Sequence, residues 1–215
     1  CGMTETAGIY ALSERADSAL ERATNQGKPV PGIEVRIVDF ETGEDARPGE
    51  VGEILVRGYC VMDGYHHDPV KTAAALDPER WLHTGDLYRQ ASDGSLTFHG
   101  RTKDMLKVGG ENVAAIELEA FLCEHPAVKL AEVVGRPDAR LDEVPVAFVE
   151  LQPGAQLCAE ALIEFCKGRI ASFKVPRAVY FVAPGAWPMS ATKVDKRALR
   201  QRLLDIEQQP ACDCI

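Results

Sequence analysis

Residues 100–112, GRTKDMLKVGGEN, constrain the fold of this chain most strongly, because the pattern of apolar residues changes there. Before this segment, short alternating runs are separated by turns, which is typical of β-strands. After it, amphipathic helices alternate with strand-like runs. Within the segment, the adjacent Gly109 and Gly110 allow positive φ angles and a close approach of backbone to a ligand. The sequence therefore predicts two parts that meet around Arg101 to Lys103.

The residues alone allow two interpretations of this segment. Lys107 and the glycine pair would suit a loop that receives a phosphate-bearing ligand. A surface hairpin with charged flanks would have the same composition, and it is the simpler interpretation of the segment taken alone. The remainder of the chain is needed to choose between them.

The composition is that of an ordinary globular protein with one or two domains. The 215 residues are 46% apolar and 27% charged, which is the usual range. The net charge of −9 argues against a general nucleic-acid binder, because affinity for phosphate backbones comes from clustered Lys and Arg. A small anionic ligand needs only a local positive site. We expect no transmembrane segment and no signal peptide, since no apolar run has the required length.

The seven cysteines form no even framework, and we expect reduced thiols in a cytoplasmic protein. Cys123 and Cys166 fall on predicted amphipathic helices, where buried free thiols are expected. Cys212 and Cys214 have a spacing that could suggest a metal site. Because no His or further Cys lies close by in the sequence, a frayed tail is the favoured interpretation.

Residues 1–100 are predicted to be rich in β-structure. Strands are predicted at 33–40 and 51–56, and a hairpin is predicted from 87–89 to 95–98 around a Ser-Asp-Gly turn. Asp68 is predicted to cap a short helix, because it precedes Pro69 and proline suits the first helical position.

Residues 101–205 are predicted to form a small unit near the common domain size, followed by a tail at 206–215. Helices are predicted at 116–123, 159–169 and 195–204, and strands at 128–134, 144–151 and 178–182, with a charged turn at 136–138. The predicted fold class is therefore α+β: a β-rich part, then a small domain with a three-stranded sheet and flanking helices.

Five sequence blocks, in their order and rough spacing, resemble the adenylate-forming superfamily, which contains acyl-CoA synthetases, firefly-type luciferases and nonribosomal peptide adenylation domains. The blocks are residues 2–5 (GMTE), 52–58 (GEILVRG) with Gly64 and Tyr65, 84–86 (TGD), 100–112, and 188–196 (PMSATKVDK). Each block alone is weak, but their joint occurrence is specific and covers nearly the whole chain. The resemblance implies that residues 1–100 are the β-rich end of a large adenylating domain and that 101–205 are its small mobile partner domain.

The first block is implied to bind nucleotide. Gly2, Met3 and Thr4 match residues at the nucleotide, with Thr4 at a phosphate, and Glu5 matches the carboxylate that holds Mg²⁺. A hard cation prefers such an oxygen ligand. An exposed turn acid is the alternative interpretation of Glu5.

Asp86 and Arg101 are implied to bind the ribose. From the residues alone, an Asp beside Gly could accept hydrogen bonds from two vicinal hydroxyl groups or could cap a turn. For Arg101 the alternative is a surface ion pair. Lys103 falls at the superfamily's hinge position, where a long exposed side chain tolerates a large backbone rotation.

Lys193 is implied to be the catalytic lysine, which contacts the α-phosphate and the attacking carboxylate. A fixed ammonium group there would stabilise the charge that develops during attack. Thr192 stands where the superfamily more often has Gly. Lys196 and the basic helix behind it are expected to form a solvated face.

Gly109 and Gly110, with Lys107 beside them, are implied to form the loop that lines the pantetheine channel of CoA. Only small residues would let a thin chain pass so close to backbone. Glu117 matches an acid of the following helix, and an ordinary solvent-facing helical acid is the alternative.

The resemblance implies a fragment of an ATP-dependent acid–thiol ligase that uses ATP, Mg²⁺ and CoA. The details of several blocks are most similar to fatty or medium-chain acyl-CoA synthetases. The phosphate-gripping loop and most of the acyl pocket are absent from these residues, so the fragment alone is expected to be inactive. Two alternatives remain: a non-catalytic nucleotide- or partner-binding remnant, and an adenylating enzyme with a carrier-protein thiol or another acceptor.

Overall fold

The computed structural model describes residues 1–40 and 42–208. The chain divides into two compact units, Cys1–Lys103 and Asp104–Ile215. Within the described residues no helix is long and apolar enough to cross a membrane. The cytoplasmic location stays a prediction.

The first unit is built on a four-stranded antiparallel sheet. In chain order its elements are β1 (Ala11–Leu12), α1 (Ala19–Thr24), β2 (Lys28–Pro29), β3 (Ile33–Val38), β4 (Val51–Gly58), α2 (Pro69–Ala75), β5 (Leu82–Gln90) and β6 (Leu96–Arg101). Strands β3 to β6 are neighbours in sequence order, and β1 pairs separately with β2. The predicted strands and hairpin of this part are confirmed.

Side chains on the two faces of this sheet enter different cores, because successive strand residues point to opposite faces. Ile54 and Val56 of β4 pack with Tyr10 on one face. Leu55 packs with Trp81 on the other face. Both faces of β4 are therefore buried at these positions, which explains why Ile54, Leu55 and Val56 form a continuous apolar run in the sequence.

Helix α2 begins as predicted. The Asp68 side chain accepts a hydrogen bond from the Lys71 N–H at 2.9 Å, and Pro69 is the first helical residue. The carboxylate satisfies one of the N–H groups that a helix start leaves without an intrahelical partner.

The second unit is an α+β structure with a five-stranded sheet. Its elements are β7 (Met105–Val108), β8 (Glu111–Ala114), α3 (Ala115–Cys123), β9 (Val128–Asp138), β10 (Asp142–Leu151), α4 (Ala159–Cys166), β11 (Ala178–Phe181), β12 (Met189–Ser190), β13 (Lys193–Val194) and α5 (Lys196–Gln208). Strand β10 pairs antiparallel with β9 and β7 and parallel with β11, while β7 also pairs with β8. Strands β12 and β13 form a separate small hairpin.

Helices cover both faces of this sheet. Leu118 of α3 and Leu162 of α4 belong to one core, and Leu199 of α5 belongs to the other. The sheet residues are Val133, Ala147 and Val149 toward α3 and α4, and Val134, Val146 and Phe148 toward α5. A sheet buried on both faces gives near-continuous apolar runs, which explains why its central strands are easy to predict.

The predicted α+β class is confirmed. The predicted three-stranded sheet is wrong, because the sheet has five strands. The missing strands are β7 and β8, whose four-residue lengths and charged residues obscure the strand pattern. The predicted turn at 136–138 lies inside β9, and the chain turns at 139–141 instead.

Two smaller predictions also change. Cys166 is buried as expected, but Cys123 is exposed. Helix α5 continues to Gln208, so the predicted tail does not begin at 206. Cys212 and Cys214 lie outside the described residues.

Candidate active site

A tight turn near the start of the chain holds Thr4 and Glu5. Thr4–Thr6 form a single 3₁₀ turn. The buried Thr6 hydroxyl accepts a hydrogen bond from the Met3 N–H and donates one to the Met3 carbonyl, each at 3.1 Å. Thr6 was not singled out from the sequence, although threonine hydroxyls commonly form hydrogen bonds with nearby backbone groups. Thr4 remains exposed beside it.

The same turn requires glycine at its first position. A Cβ atom on Gly2 would lie 1.7 Å from the Gly8 carbonyl oxygen. Because that oxygen belongs to the backbone, no side-chain movement could relieve the clash. Gly2 therefore has a structural reason to be glycine, and its predicted role at a nucleotide stays a prediction.

The Glu5 side chain is oriented by Tyr65. The Tyr65 hydroxyl donates to Glu5 Oε1 at 3.0 Å, and the pKa of this hydroxyl is raised by burial and then by the hydrogen bond to Glu5. Tyr65 is itself fixed because its N–H donates to the Thr72 hydroxyl at 2.9 Å. Magnesium is often held through one or two carboxylates plus substrate phosphates, and the single oriented carboxylate of Glu5 fits that requirement.

Asp86 and Arg101 lie directly opposite each other on β5 and β6. The Arg101 Nε atom donates to Asp86 Oδ1 at 2.9 Å, and the Asp86 side chain is only 12% exposed. An ion pair was the alternative interpretation of Arg101, and the ion pair is present. It does not exclude ribose binding, because a carboxylate has two oxygens and about four lone-pair sites.

The segment that carries Asp86 is held in place by β4. The Gly85 N–H donates to Glu53 Oε1 at 2.8 Å, and the Thr84 hydroxyl accepts from the Asp86 N–H at 3.1 Å. Thr102 donates its hydroxyl to the Gly85 carbonyl at 3.2 Å. Glu53 belongs to the second block of the sequence, where its supporting role was not foreseen. Asp86 lies inside β5, whereas the strand predicted from the sequence begins only at residue 87.

Lys103 lies in a 3₁₀ turn, Thr102–Asp104, and is the last residue of the first unit. Its neighbour Asp104 belongs to the second unit, where it lies 3.4 Å from the Arg200 guanidinium. Whether Lys103 acts as a hinge stays a prediction.

Gly109 and Gly110 form the two-residue turn between β7 and β8. Their φ angles are +60° and +87°, which is the combination that a type I′ hairpin turn requires. The Gly109 N–H donates to the Leu141 carbonyl at 2.8 Å. The exposed Lys107 precedes the turn, and its N–H donates to Glu143 Oε2 at 3.1 Å. The hairpin interpretation is therefore correct for the backbone, and the predicted role at CoA is untested.

Lys193 is exposed on the β12–β13 hairpin, paired in register with Ser190. Ala191 has a φ of +53° in the connecting turn. Just beyond the hairpin, the Asp195 N–H donates to the Pro188 carbonyl at 2.8 Å and closes the loop. The Asp195 carboxylate then accepts from the Arg197 N–H at 2.9 Å at the start of α5. Lys193 therefore sits at the tip of a small closed loop, where a long side chain has freedom to reach a ligand.

Lys196 does not lie on a solvated face, contrary to the expectation from the sequence. Its ammonium group is 2.5 Å from Glu119 and 3.6 Å from Glu132, and all three side chains are at most 17% exposed. Burial, followed by the nearby charge of Glu119, raises the pKa of Glu132 to about 7. These residues form a half-buried charged cluster between α3, β9 and α5.

Glu117 is paired with Lys174. The Lys174 ammonium group donates to both Glu117 oxygens, at 2.6 and 2.8 Å, while the Glu117 side chain is 56% exposed. This exposure agrees with the solvent-facing alternative, although the side chain is ion-paired. Within the described part of the chain, no group of three or more His, Cys, Asp or Glu residues is arranged to hold a metal ion.

Family models match two parts of the chain, and curated relatives match nearly all of it. A family model described as AMP-binding enzyme matches residues 1–66, and one described as AMP-binding enzyme C-terminal domain matches residues 117–193. The chain is 39% identical over 206 residues to YngI of Bacillus subtilis (strain 168), which is named an acyl-CoA synthetase. This match covers 95% of the chain and 37% of YngI. The mitochondrial medium-chain acyl-CoA ligase ACSF2 of Rattus norvegicus is 37% identical over 94% of the chain and 33% of its own length.

The chain is also similar to solved structures of related proteins. ATP-bound MatB from Rhodopseudomonas palustris has a TM-score of 0.87 and 31% identity, over 96% of this chain and 40% of MatB. The anthranilate CoA ligase AuaEII in complex with anthranoyl-AMP has a TM-score of 0.82 and 35% identity, over 97% of this chain and 39% of AuaEII. The chain therefore spans between a third and two fifths of the length of these relatives.

Proposed function

We propose, from the premise that this chain belongs to the AMP-binding enzyme family, that it forms part of an ATP-dependent acyl-CoA synthetase. The whole enzyme would join a carboxylic acid of the fatty-acid class to CoA. The observation that carries this proposal is the ion pair between the buried Asp86 carboxylate of the third sequence block and Arg101 of the fourth. Such an oriented acid is suited to the ribose hydroxyls of ATP.

In the first half-reaction, a carboxylate oxygen of the acid attacks the α-phosphorus of ATP. The new oxygen–phosphorus bond gives an acyl-adenylate, and pyrophosphate leaves with the electrons of the broken bond. Asp86 and Arg101 orient the ribose. Glu5 would hold Mg²⁺, which would supply neutralisation of phosphate charge, and Tyr65 keeps the Glu5 carboxylate in one orientation. Thr4 lies exposed beside Glu5 and donates to a phosphate oxygen.

Lys193 stabilises the charge that develops during this attack. Its ammonium group is carried on the closed loop between Pro188 and Asp195. The loop holds the backbone of Lys193 in place, while the long side chain can extend to the phosphate. A cation already in place costs no reorganisation when charge builds on the transferring phosphoryl oxygens. This electrostatic role needs no proton transfer.

In the second half-reaction, the thiol of CoA gives up its proton to solvent, and the resulting thiolate attacks the acyl carbonyl carbon of the adenylate. The carbon–sulfur bond forms, the bond to the phosphate oxygen breaks, and AMP leaves. The turn at Gly109 and Gly110 leaves space beside backbone for a thin chain such as pantetheine, since a Cβ on Gly110 would meet no atom within 4 Å. Rotation at Lys103 would exchange the residues that serve the two half-reactions.

The first test uses the Lys193→Ala substitution in the full-length enzyme. We expect pyrophosphate release with a panel of carboxylic acids to fall by about 100-fold or more, because an electrostatic group of this kind is commonly worth that much. Thioester formation from a chemically prepared acyl-adenylate should persist, since Lys193 acts before that step.

The matched control is Lys167→Ala. Lys167 is an exposed lysine of the same unit and is paired only on the surface with Glu164. It should leave both half-reactions unchanged. Unaltered pyrophosphate release in the Lys193 variant would refute the assigned role, and no release from the wild-type enzyme with any acid would favour the non-catalytic alternative.

A further inference from the structure

One buried carboxylate of the second unit has no part in the proposed chemistry. Glu150 lies on β10, and its side chain is only 4% exposed. The Lys129 ammonium group donates to Oε1 at 2.6 Å, and the Trp187 indole N–H donates to Oε2 at 2.6 Å. These hydrogen bonds, that of Lys129 first, lower the pKa of Glu150. Each carboxylate oxygen therefore has its own donor.

Trp187 lies in the exposed connection that carries Lys193. This connection leaves the sheet after the buried Val182 and returns to the core at the buried Leu199. Residues 183–186 and 189–193 are all exposed. Trp187 and Val194 are partly buried against the core between the sheet and α5. They are therefore the two apolar contacts on either side of the loop tip.

The hydrogen bond of Trp187 fixes an orientation that packing alone would not. An indole ring packed on an apolar surface can rotate, whereas an N–H donating to a charged oxygen is held in direction, since such bonds are short and strong. Pro188 follows directly, and its carbonyl accepts from the Asp195 N–H. The Trp187 ring therefore sets where the loop begins, six residues before Lys193.

We propose that Glu150 is a positioning residue for Lys193, acting through the Trp187 indole N–H. This inference rests on the proposed function, because it assumes that the location of the Lys193 ammonium group matters for adenylation. Its structural part, the restraint of residues 189–195 by Glu150, can be tested without any activity. A misplacement of about 1 Å at a reacting group can cost on the order of 100-fold in rate, so a small loosening of the loop should be measurable.

The decisive variant is Trp187→Phe in the full-length enzyme. Phenylalanine keeps an aromatic ring against the core but has no N–H group. We expect the kcat of acyl-adenylate formation to fall by about 10-fold to 100-fold, with the KM for ATP changed less than about twofold because the Asp86 and Glu5 contacts remain. Amide hydrogen exchange of residues 189–195 should become faster, while exchange in β10 should not.

Two Glu150 variants distinguish positioning from simple burial of charge. Glu150→Leu removes the acceptor and should reproduce the Trp187→Phe defects. Glu150→Gln keeps one carbonyl oxygen, which can still accept from the indole because the half-exposed Lys129 side chain can turn to water. The Gln variant should therefore recover most of the adenylation rate and the slow exchange of the loop.

Lys129→Met is the matched control. It removes the other partner of Glu150 without altering the indole, so it should leave adenylation and loop exchange unchanged even if it lowers stability. Equal adenylation defects in Lys129→Met and Trp187→Phe would overturn the proposal, as would unchanged exchange of residues 189–195 in Trp187→Phe. If the wild-type enzyme forms no adenylate, the proposed function fails, and the exchange measurements still decide whether Glu150 restrains the loop.

Discussion

Lys196 illustrates how tertiary structure changes the meaning of a charged residue. In the sequence it opens a basic helix, which is most simply interpreted as a solvated surface. In the structure it lies between Glu119 of α3 and Glu132 of β9. Nothing local in the sequence indicates that these two acids converge on one lysine, because they come from elements that meet only when the sheet and helices pack. Two acids with one base leave a net negative charge in a half-buried place.

The raised pKa of the Glu132 carboxyl predicts how the free energy of unfolding depends on pH. Its pKa rises from an ordinary 4.5 to about 7 in the folded chain, so the folded state binds this proton more tightly than the unfolded state does. The contribution of this proton to the free energy of unfolding is fully present below about pH 4.5 and is lost as the pH rises through 7. The groups that face it are Glu119, Lys196 and, more weakly, Asp104.

Glu132→Gln should remove this dependence. At pH 8 the variant should be more stable than the wild type by on the order of 1–3 kcal/mol, since a neutral amide replaces a disfavoured charge. At pH 4.5 the two should be nearly equal. Urea unfolding at pH 4.5, 6.5 and 8 measures the difference, with the exposed Glu160→Gln of α4 as control. A stability difference that is constant across this range would contradict the argument.

At the scale of elements, the Asp86–Arg101 pair depends on a strand irregularity. The turn after β5 pairs Gln90 with Leu96, and an uninterrupted ladder would place Asp86 opposite Gly100. The register shifts by one residue after Leu87, and Asp86 meets Arg101 instead. A bulge of this kind redirects a side chain near a functional site. The hairpin could be predicted from its turn residues, and the two residues could be selected as candidates from their motifs. Their direct contact could not, because alternation patterns do not show a bulge.

In the β7–β8 hairpin, the turn residues could be identified from the sequence but the strands could not. The glycine pair was noticed in the sequence, but its two strands were not predicted because each has only four residues. Leu106 and Val108 are buried, while Lys107 between them is exposed. This is a period-two pattern too short to separate from a loop. The structure explains the glycines by their positive φ angles alone, so a separate experiment is needed to assign them a role at a ligand.

Gly110→Asn separates the turn from a ligand channel. Asn tolerates positive φ better than other side chains, and the space beside Gly110 contains no atom within 4 Å. Gly94 offers a matched control, since its φ of +86° and open surroundings are nearly those of Gly110, at +87°. Both variants should lose similar stability, about 1 kcal/mol.

Only the Gly110 variant should slow thioester formation from a prepared acyl-adenylate, by about 10-fold or more, because its new side chain would occupy the path of the thiol. Adenylation should be unchanged in both variants. If Gly110→Asn and Gly94→Asn have the same thioester rates, the glycine pair serves the hairpin turn and not CoA.

At the scale of the whole molecule, the sequence blocks divide between the two units. Glu5, Asp86 and Arg101 belong to the first, and Gly110 and Lys193 to the second. The point of division follows Lys103, within the segment where the apolar pattern changes. The sequence predicts a division in this segment because a β-rich part gives way there to alternating helices and strands. It does not predict an acyl pocket, and the chain spans 37% of a relative such as YngI.

The hinge assignment predicts that the two half-reactions respond differently to Lys103→Pro in the full-length enzyme. Proline fixes φ near −65°, and this value lies within the range of a 3₁₀ turn, which is the conformation of residues 102–104. The substitution should therefore allow one arrangement of the backbone and hinder rotation to another. Pyrophosphate release should stay within about threefold of the wild-type rate, while thioester formation should fall by about 100-fold, since misorientation by itself can cost that much.

Lys103→Ala tests whether the backbone or the side chain is responsible. It removes the ammonium group but leaves φ free, so both half-reactions should proceed at nearly the wild-type rate. Proline also restricts the residue before it, and Thr102 donates a hydrogen bond to Gly85 next to Asp86. Disturbance of the ribose site by this route would slow pyrophosphate release first. Equal loss of both half-reactions in Lys103→Pro would therefore locate the damage at Asp86 and rule out Lys103 as the hinge, whereas selective loss of thioester formation requires a rotation between the two steps.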